Sequence, residues 1–494
     1  MILRRWNAGL LWQDGPVVDY EPLRTACRSF IAEALDALQD EHVVPTPRFR
    51  PYIKVGSDYF GDTVRAVSHY RPLEEALEAC FPDRFQHRAN PFHIEHATAY
   101  IFSLLEAVVA RCATDGATAV EESIDELIDV LSSASYEVVS ARHVAHLTTT
   151  TGNEAQIGEI TVVPEPKGFG GLTRRIQREI SGAARAWPTG DPRPYNPPHA
   201  LLITRETSTD PAPYQVVERL SDRFDRFLLI ARLLTAGTAR TVYEVSGMTT
   251  LVSRIDPFMN IVARGQRRSL FRRTVRLTGN ESDAFTAIGE LIDRADVKRD
   301  GMVATSFDVA LARFSQSYID DNPYEPLVDL ATALEAVMIG TEKDNEGLTL
   351  RLRMRVATLL ATSDDAAEDL FGDVSRLYGL RSRLVHGGQI KDKDLRKEVG
   401  RISTVPTEDA TDQLGVALHR AVDRMRDLVR RAILARLCLA AEGGPWPFTG
   451  ETPVDAILSD DTKRVTWRTW WHNHLENLGV GYAADRAAVD FADR

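Results

Sequence analysis

The sequence predicts an α+β N-terminal region followed by an all-α helical bundle. Its alternating, Val-, Thr- and Ile-rich stretches all fall before residue 280. From about residue 303 the apolar residues recur almost only at helical spacing. At 494 residues the chain is also too long for one ordinary core, so roughly two to four domains are expected.

Helical spacing of apolar residues predicts helices over 20–40, 92–113 and 118–135, while the Pro-, Tyr- and Phe-containing stretch 44–62 has no clear period. The pattern changes at Tyr136. YEVVSARHVAHLTTTTGNEAQIGEITVVPEP alternates, and TGN near its middle reads as the turn of a β-hairpin. A helix over 172–186 and a Pro-rich loop over 187–198 are expected next. A strand at HALLITRET, a long amphipathic helix over 211–236 and strands at RTVYEVSG and SLFRRTVRLTG follow. The bundle helices are expected at 304–320, 322–340, 346–362, 364–386 and 409–441. Residues 387–408 read as a charged loop. The chain thus divides into a mixed region, 1–295, of unknown function and with room for two subdomains; a helical bundle, 303–441; and a Trp-rich, poorly periodic tail, 442–494.

Composition narrows the classes. A 44% hydrophobic and 26% charged chain is balanced like a water-soluble globular protein, and no run of eighteen apolar residues exists, so no membrane span is expected. The opening MILRRWNAGLLWQDG lacks the long apolar core and small-residue cleavage site of a signal peptide, and a cytoplasmic location is expected. Cys27, Cys80, Cys112 and Cys438 each stand alone, without zinc-site spacing, and read as reduced core residues. A net charge of −12 excludes wholesale coating of nucleic acid but leaves room for a local basic site.

The most informative stretch is YGLRSRLVHGG, residues 378–388. Ser363 or Asp365 can cap the helix that carries it, and Asp365 with Glu368 has capping-box spacing. An apolar stripe runs Leu370, Val374, Leu377, position 381 and Leu384, at alternating spacings of four and three, so Arg381 interrupts a core-facing seam. A guanidinium there needs a carboxylate, a phosphate or a partner surface, since an uncompensated buried charge costs about 3–5 kcal/mol. Tyr378, Ser382 and His386 share an adjacent ridge. Gly387 is placed to end the helix, which leaves His386 in the last turn, beside the negative end of the dipole. Five residues separate Arg381 from His386, so they point about 140° apart, and a two-fold dimer is one way to bring both pairs to one cleft.

Arg-Ser-x-x-x-His followed by Gly resembles the Arg-x(4–6)-His motif of HEPN domains, and most closely the Apea-like HEPN family of bacterial proteins. Two further segments share the resemblance: PLVDLATALEAVM (326–338), with Ala333-Leu334-Glu335, and LTLRLRMRVATLL (348–360), through Arg355, Ala357, Leu359 and Leu360. It covers about residues 305–440. The resemblance implies a helical bundle that forms a homodimer, a metal-independent ribonuclease site with Arg381 and His386 as its catalytic pair, and a bacterial defence or toxin-like setting. Ser382 takes the polar position after the arginine, where many catalytic members carry Asn, Asp or His. RNA is the implied partner, no cofactor is expected, and the ligand of residues 1–295 is not specified. Some HEPN relatives are non-catalytic modules for dimerisation or for binding nucleotides or RNA, the alternative function.

In chemical terms, Arg381 would hold the phosphoryl oxygens as an RNA 2′-hydroxyl attacks phosphorus, and His386 would move a proton at the attacking or leaving oxygen. Tyr378 beside them is a candidate RNA contact. A structural alternative stays open, in which Arg381 pairs with Glu335 to lock the bundle and His386 only caps the helix. Glu335 and Arg355 read as structural.

Elsewhere, RGQRRSLFRRTVR (264–276) offers Arg267, Arg268, Arg272 and Arg273 as a basic stripe for RNA phosphates, or else a solvated strand and turn. KGFGGLTRR (167–175) is Gly-rich but lacks the Walker spacing. His93 and His96 could chelate from one helical face but lack a third ligand; His143 and His146, three apart in a strand, face opposite sides, and no metal site is expected. The aromatics of WRTWWHNH (467–474) read better as packing within the tail's own domain than as base-stacking platforms.

Overall fold

The computed structural model describes residues 19–39, 63–82, 97–112, 118–133, 135–165, 198–208, 213–235, 237–248, 274–277, 282–295, 305–319, 322–340, 347–385, 391–448 and 451–480. The described residues are mostly helical, with a small antiparallel sheet in the N-terminal half and helices in the C-terminal part. No described helix is long and apolar enough to cross a membrane.

Among the described residues, the helices longer than one turn that come first are α1 (Glu21–Gln39), α2 (Tyr70–Cys80), α3 (Ala97–Cys112) and α4 (Ala119–Ser132). They share one core, in which Leu23, Cys27, Phe30 and Ala34 of α1 meet Leu73, Leu77, Ile101, Leu105 and Leu127. Each set is spaced three or four residues apart, which puts it on one helical face. Outside the core, Glu33 of α1 gathers the backbone N–H groups of Ser68 and His69 and the His69 ring at 2.6–3.0 Å.

The strands are β1 (Tyr136–Ala145), β2 (Leu147–Thr149), β3 (Ala155–Ile157), β4 (Ile160–Glu165), β5 (His199–Ser208), β6 (Arg240–Met248) and β7 (Val275–Leu277). Their main sheet has the order β3-β4-β5-β1-β6 and every pairing in it is antiparallel, while β2 and β7 form a separate parallel pair. The expected hairpin exists, but it turns at Gly158 and Glu159, between β3 and β4, and not at TGN. A two-residue hairpin loop needs positive φ, which Gly158 supplies at 57°. TGN instead turns the chain between β2 and β3. At His146, φ is 58°, the one positive value among the described non-glycine residues, and there the chain leaves the main sheet for the small one.

Helix α5 (Pro213–Thr235) lies across β1 and β5. Its apolar stripe serves two cores. Val216, Val217 and Leu220 join the N-terminal helices, whereas Phe224, Phe227, Leu228, Ala231 and Leu233 join the large core that continues into the bundle. Between α5 and the sheet, buried Arg142 donates to Glu244 at 2.6 and 2.9 Å, to Asp225 and to Ser221.

After α6 (Ser282–Ala295) come α7 (Ser306–Gln316), α8 (Tyr324–Met338), α9 (Leu348–Leu360), α10 (Ala367–Val385), α11 (Asp392–Val399), α12 (Thr407–Asp412), α13 (Leu414–Ala440), α14 (Val454–Ser459) and α15 (Asp461–Asn477). Helix α13 is the axis. Residues 428–439 are all buried, so this stretch has no solvent face. The segment expected as a charged loop contains α11. Its charges face outward while Leu395, Val399, Ile402 and Val405 are buried, a helical period masked by the density of charge. The tail is also regular. Trp467, Trp471 and Leu475 are spaced four apart and buried, and the Trp471 indole donates to the Leu359 carbonyl at 3.2 Å, so these aromatics pack on their own domain.

The large core does not stop at the division expected near residue 300. It runs from Val144 and Leu202 through Phe224, Phe285 and Leu334 to Trp471.

Candidate functional site

Helix α10 carries the candidate site. Leu370, Val374 and Leu377 are buried, as the stripe predicts. At the next turn the reading needs correction. Leu380 takes the core position, and Arg381, on the edge of the stripe, is half-buried. Residues 381–384 are half-buried and Val385 is exposed, so burial falls off towards this end of the described helix.

What surrounds Arg381 is informative. Its guanidinium carbon lies 5.7 Å from the centre of the Tyr378 ring. Its Nε is buried and has no hydrogen-bond partner, and no carboxylate forms an ion pair with it among the described residues. Glu335, the partner expected if the arginine were a bundle lock, accepts a hydrogen bond from the Tyr378 hydroxyl instead. Burial and the Glu335 carboxylate push the Tyr378 phenol up to about 12, so it stays a donor at any physiological pH. Ser382 is half-buried on the adjacent face. His386 and Gly387 lie outside the described residues, as do Arg267, Arg268, Arg272, Arg273, His93, His96 and the Gly-rich stretch 167–175.

The fully buried arginines of the bundle are in the opposite condition. Arg355 of α9 donates to Asp455 at 2.6 and 2.8 Å and to the Met338 carbonyl at 2.7 Å. Its hydrogen bonds hold the Asp455 carboxyl below the usual carboxylate range. Arg424 grips Asp365 with two nitrogens and Asp373 with a third. Arg431 reaches Asp365 and the Leu360 carbonyl, and Arg430 reaches Asp427 and the Leu233 carbonyl. Burial opposes ionisation of Asp427, but Arg430 and Arg431 outweigh it and hold this carboxyl low. Arg436 donates to the Trp446 and Pro447 carbonyls between the rings of Trp446 and Phe448.

The sequence reading missed this lattice. Asp365 sits before the first turn of α10 with its carboxylate committed to Arg424 and Arg431, not simply at a helix cap. The signal was present: a helix apolar all round leaves its arginines nowhere to go but onto buried carboxylates or carbonyls.

The remaining candidates separate in space. His143 is buried in β1 with its ring 4.7 Å from that of His199, while His146 occupies the turn, so the two do not converge. Desolvation lowers the basicity of both imidazoles, His199 to about 4. Among the described residues, no group of three or more His, Cys, Asp or Glu is placed to hold a metal ion. Comparison with protein-family models, with curated proteins and with solved structures finds no match.

Chemically, the end of α10 offers a permanently charged, half-buried fork beside an aromatic ring and, among the described residues, without a carboxylate of its own. Such a group is suited to receive an anion.

Proposed function

We propose that the chain is a HEPN-type, metal-independent endoribonuclease that works as a homodimer. The observation that carries the reading is the contrast between Arg381 and its buried neighbours. Arg355, Arg424, Arg430, Arg431 and Arg436 are all tied to carboxylates or carbonyls, whereas Arg381 is half-buried with no ion pair among the described residues. A cation kept at the bundle's edge without its own anion suits a substrate phosphate.

Arg381 holds the non-bridging oxygens as the RNA 2′-hydroxyl attacks the adjacent phosphorus, and its fork opposes the growing charge. His386 accepts the 2′-hydroxyl proton or donates to the departing 5′-oxygen. The products are a 2′,3′-cyclic phosphate and a 5′-hydroxyl. Continued helical spacing would point Arg381 and His386 about 140° apart, so a second copy completes the cleft. Exposed Leu350 and Met354 on α9, which packs along α10, and exposed Val385 at the end of α10 leave apolar surface for that copy to cover. The same surface favours the second reading, a non-catalytic dimerisation module that also binds nucleotide or RNA.

The test is cleavage of end-labelled RNA by the full chain with excess chelator. The endoribonuclease reading expects chelator-resistant cleavage, 5′-hydroxyl fragments that a polynucleotide kinase can label directly, and loss of both with His386→Ala. Equal background with wild type and variant would leave only the non-catalytic reading.

A further inference from the structure

Tyr378 enters the sequence reading as an RNA-contacting ring, but its surroundings point to different work. The ring is attached at two ends: its backbone belongs to α10, while its hydroxyl donates to Glu335 of α8. Helices α8 and α10 pack together through buried residues such as Leu334, Val374 and Leu377, so the hydrogen bond spans two fixed elements. Arg381 lies over the ring, its guanidinium carbon 5.7 Å from the centre, and among the described residues no hydrogen bond or ion pair ties its head group elsewhere. An arginine side chain has many rotamers. A carboxylate or a carbonyl fixes each fully buried arginine of the bundle, whereas the interaction that the described residues offer Arg381 is the face of Tyr378.

We propose that Tyr378 is a positioning residue for Arg381 and Glu335 is its anchor: the α8–α10 hydrogen bond fixes the tilt of the ring, and the ring fixes the direction of the guanidinium. The role requires the hydroxyl. A ring that merely stacked on a base would require only its face, so the two roles separate on removal of one oxygen atom. The kinetic consequence rests on the endoribonuclease reading; the geometric consequence does not.

The experiment uses the full chain with Tyr378→Phe, Glu335→Ala, Glu335→Gln and the double variant Tyr378→Phe/Glu335→Ala, each shown by circular dichroism to melt cooperatively. With a short RNA, Tyr378→Phe and Glu335→Ala are expected to lower kcat about tenfold with KM within about twofold, since a small misplacement of a transition-state contact acts on turnover. The double variant should be no slower than either single one, because both break the same tether. Glu335→Gln, whose amide oxygen still accepts from the phenol, should retain near-wild-type kcat. In parallel, 15N relaxation of the Arg381 Nε–H, assigned with Arg381→Lys, should report a loss of order in Tyr378→Phe and Glu335→Ala but not in Glu335→Gln. Wild-type turnover and unchanged Nε–H order in Tyr378→Phe would overturn the proposal, as would additive losses in the double variant. If the wild-type chain cleaves no RNA, the endoribonuclease reading fails, and the relaxation measurement still decides the positioning role.

Discussion

Arg355 and Arg381 are the same side chain in opposite circumstances. Arg355 is 1% exposed and bolts α9 to α14 through Asp455 and to α8 through the Met338 carbonyl. Asp455 is itself exposed, so the cost of deleting the buried guanidinium is that of its lost charge-assisted hydrogen bonds and of the Met338 carbonyl left without its donor, about 2–3 kcal/mol. Urea denaturation of Arg355→Ala should therefore show a large fall in midpoint, whereas Arg381→Ala, which breaks no ion pair, should stay within about 0.5 kcal/mol of wild type. The Asp455 carboxyl adds a pH dependence. Its folded-state pKa is depressed, so its contribution is complete above the ordinary carboxylate range, near pH 4, and declines as pH falls through that range. A wild-type chain titrated from pH 6 downward should lose stability that Asp455→Asn has already lost. Spacing alone put Arg381 in the core seam, but the residue there is Leu380. That Leu380 would take the core position beside it, and that Glu335 would bind Tyr378, depends on how α8 and α10 are rotated against each other, which periodicity does not specify.

Elements were legible where one face was apolar and the other polar. Helices α1, α5 and α13 and strands β5 and β6 lie where alternation or helical spacing put them. Three kinds of element were not. Helix α11 hides two buried apolar residues among six charged ones. The β3–β4 hairpin is set by the left-handed Gly158, which competed with a stronger-looking TGN turn nearby. The tail helix α15 was obscured because tryptophans occur on both its buried and its exposed faces, Trp471 being enclosed and Trp470 37% exposed. At this scale the junction of α1 with the start of α2 has a testable acid limb. Hydrogen bonds from Ser68 and His69 hold the Glu33 carboxyl down at about 2. Because that folded-state value lies below the unfolded one, the tether is fully formed above about pH 4.5 and is lost as pH falls towards 2. Hydrogen exchange across residues 21–39, corrected for intrinsic rates, should speed up between pH 5 and about pH 2.5 in the wild type. In Glu33→Gln it should show no such change.

For the whole molecule, the sequence suggested a seam near residue 300, and the core runs through it. Periodicity assigns residues to faces but does not say which faces share an interior, so the continuity of Phe224 with the bundle was not legible. Helix α5 supplies that continuity. One half packs on the N-terminal helices, the other half enters the bundle, and its last turn is held by Arg430 through the Leu233 carbonyl at 3.0 Å. Phe224→Ala should therefore cost about 3–5 kcal/mol. It should raise hydrogen exchange in β1 and in α13 together, and a rise confined to α5 would show that the two parts unfold independently.

The claim on which the rest depends is that Arg381 is held open for a phosphate, and single-turnover RNA cleavage by Arg381→Ala, with matched urea midpoints, tests it most directly. The account predicts a fall of about 100-fold or more, as for loss of a transition-state charge contact, with Arg381→Lys recovering only part of it. Cleavage by Arg381→Ala at the wild-type rate, from a chain of wild-type stability, would contradict it.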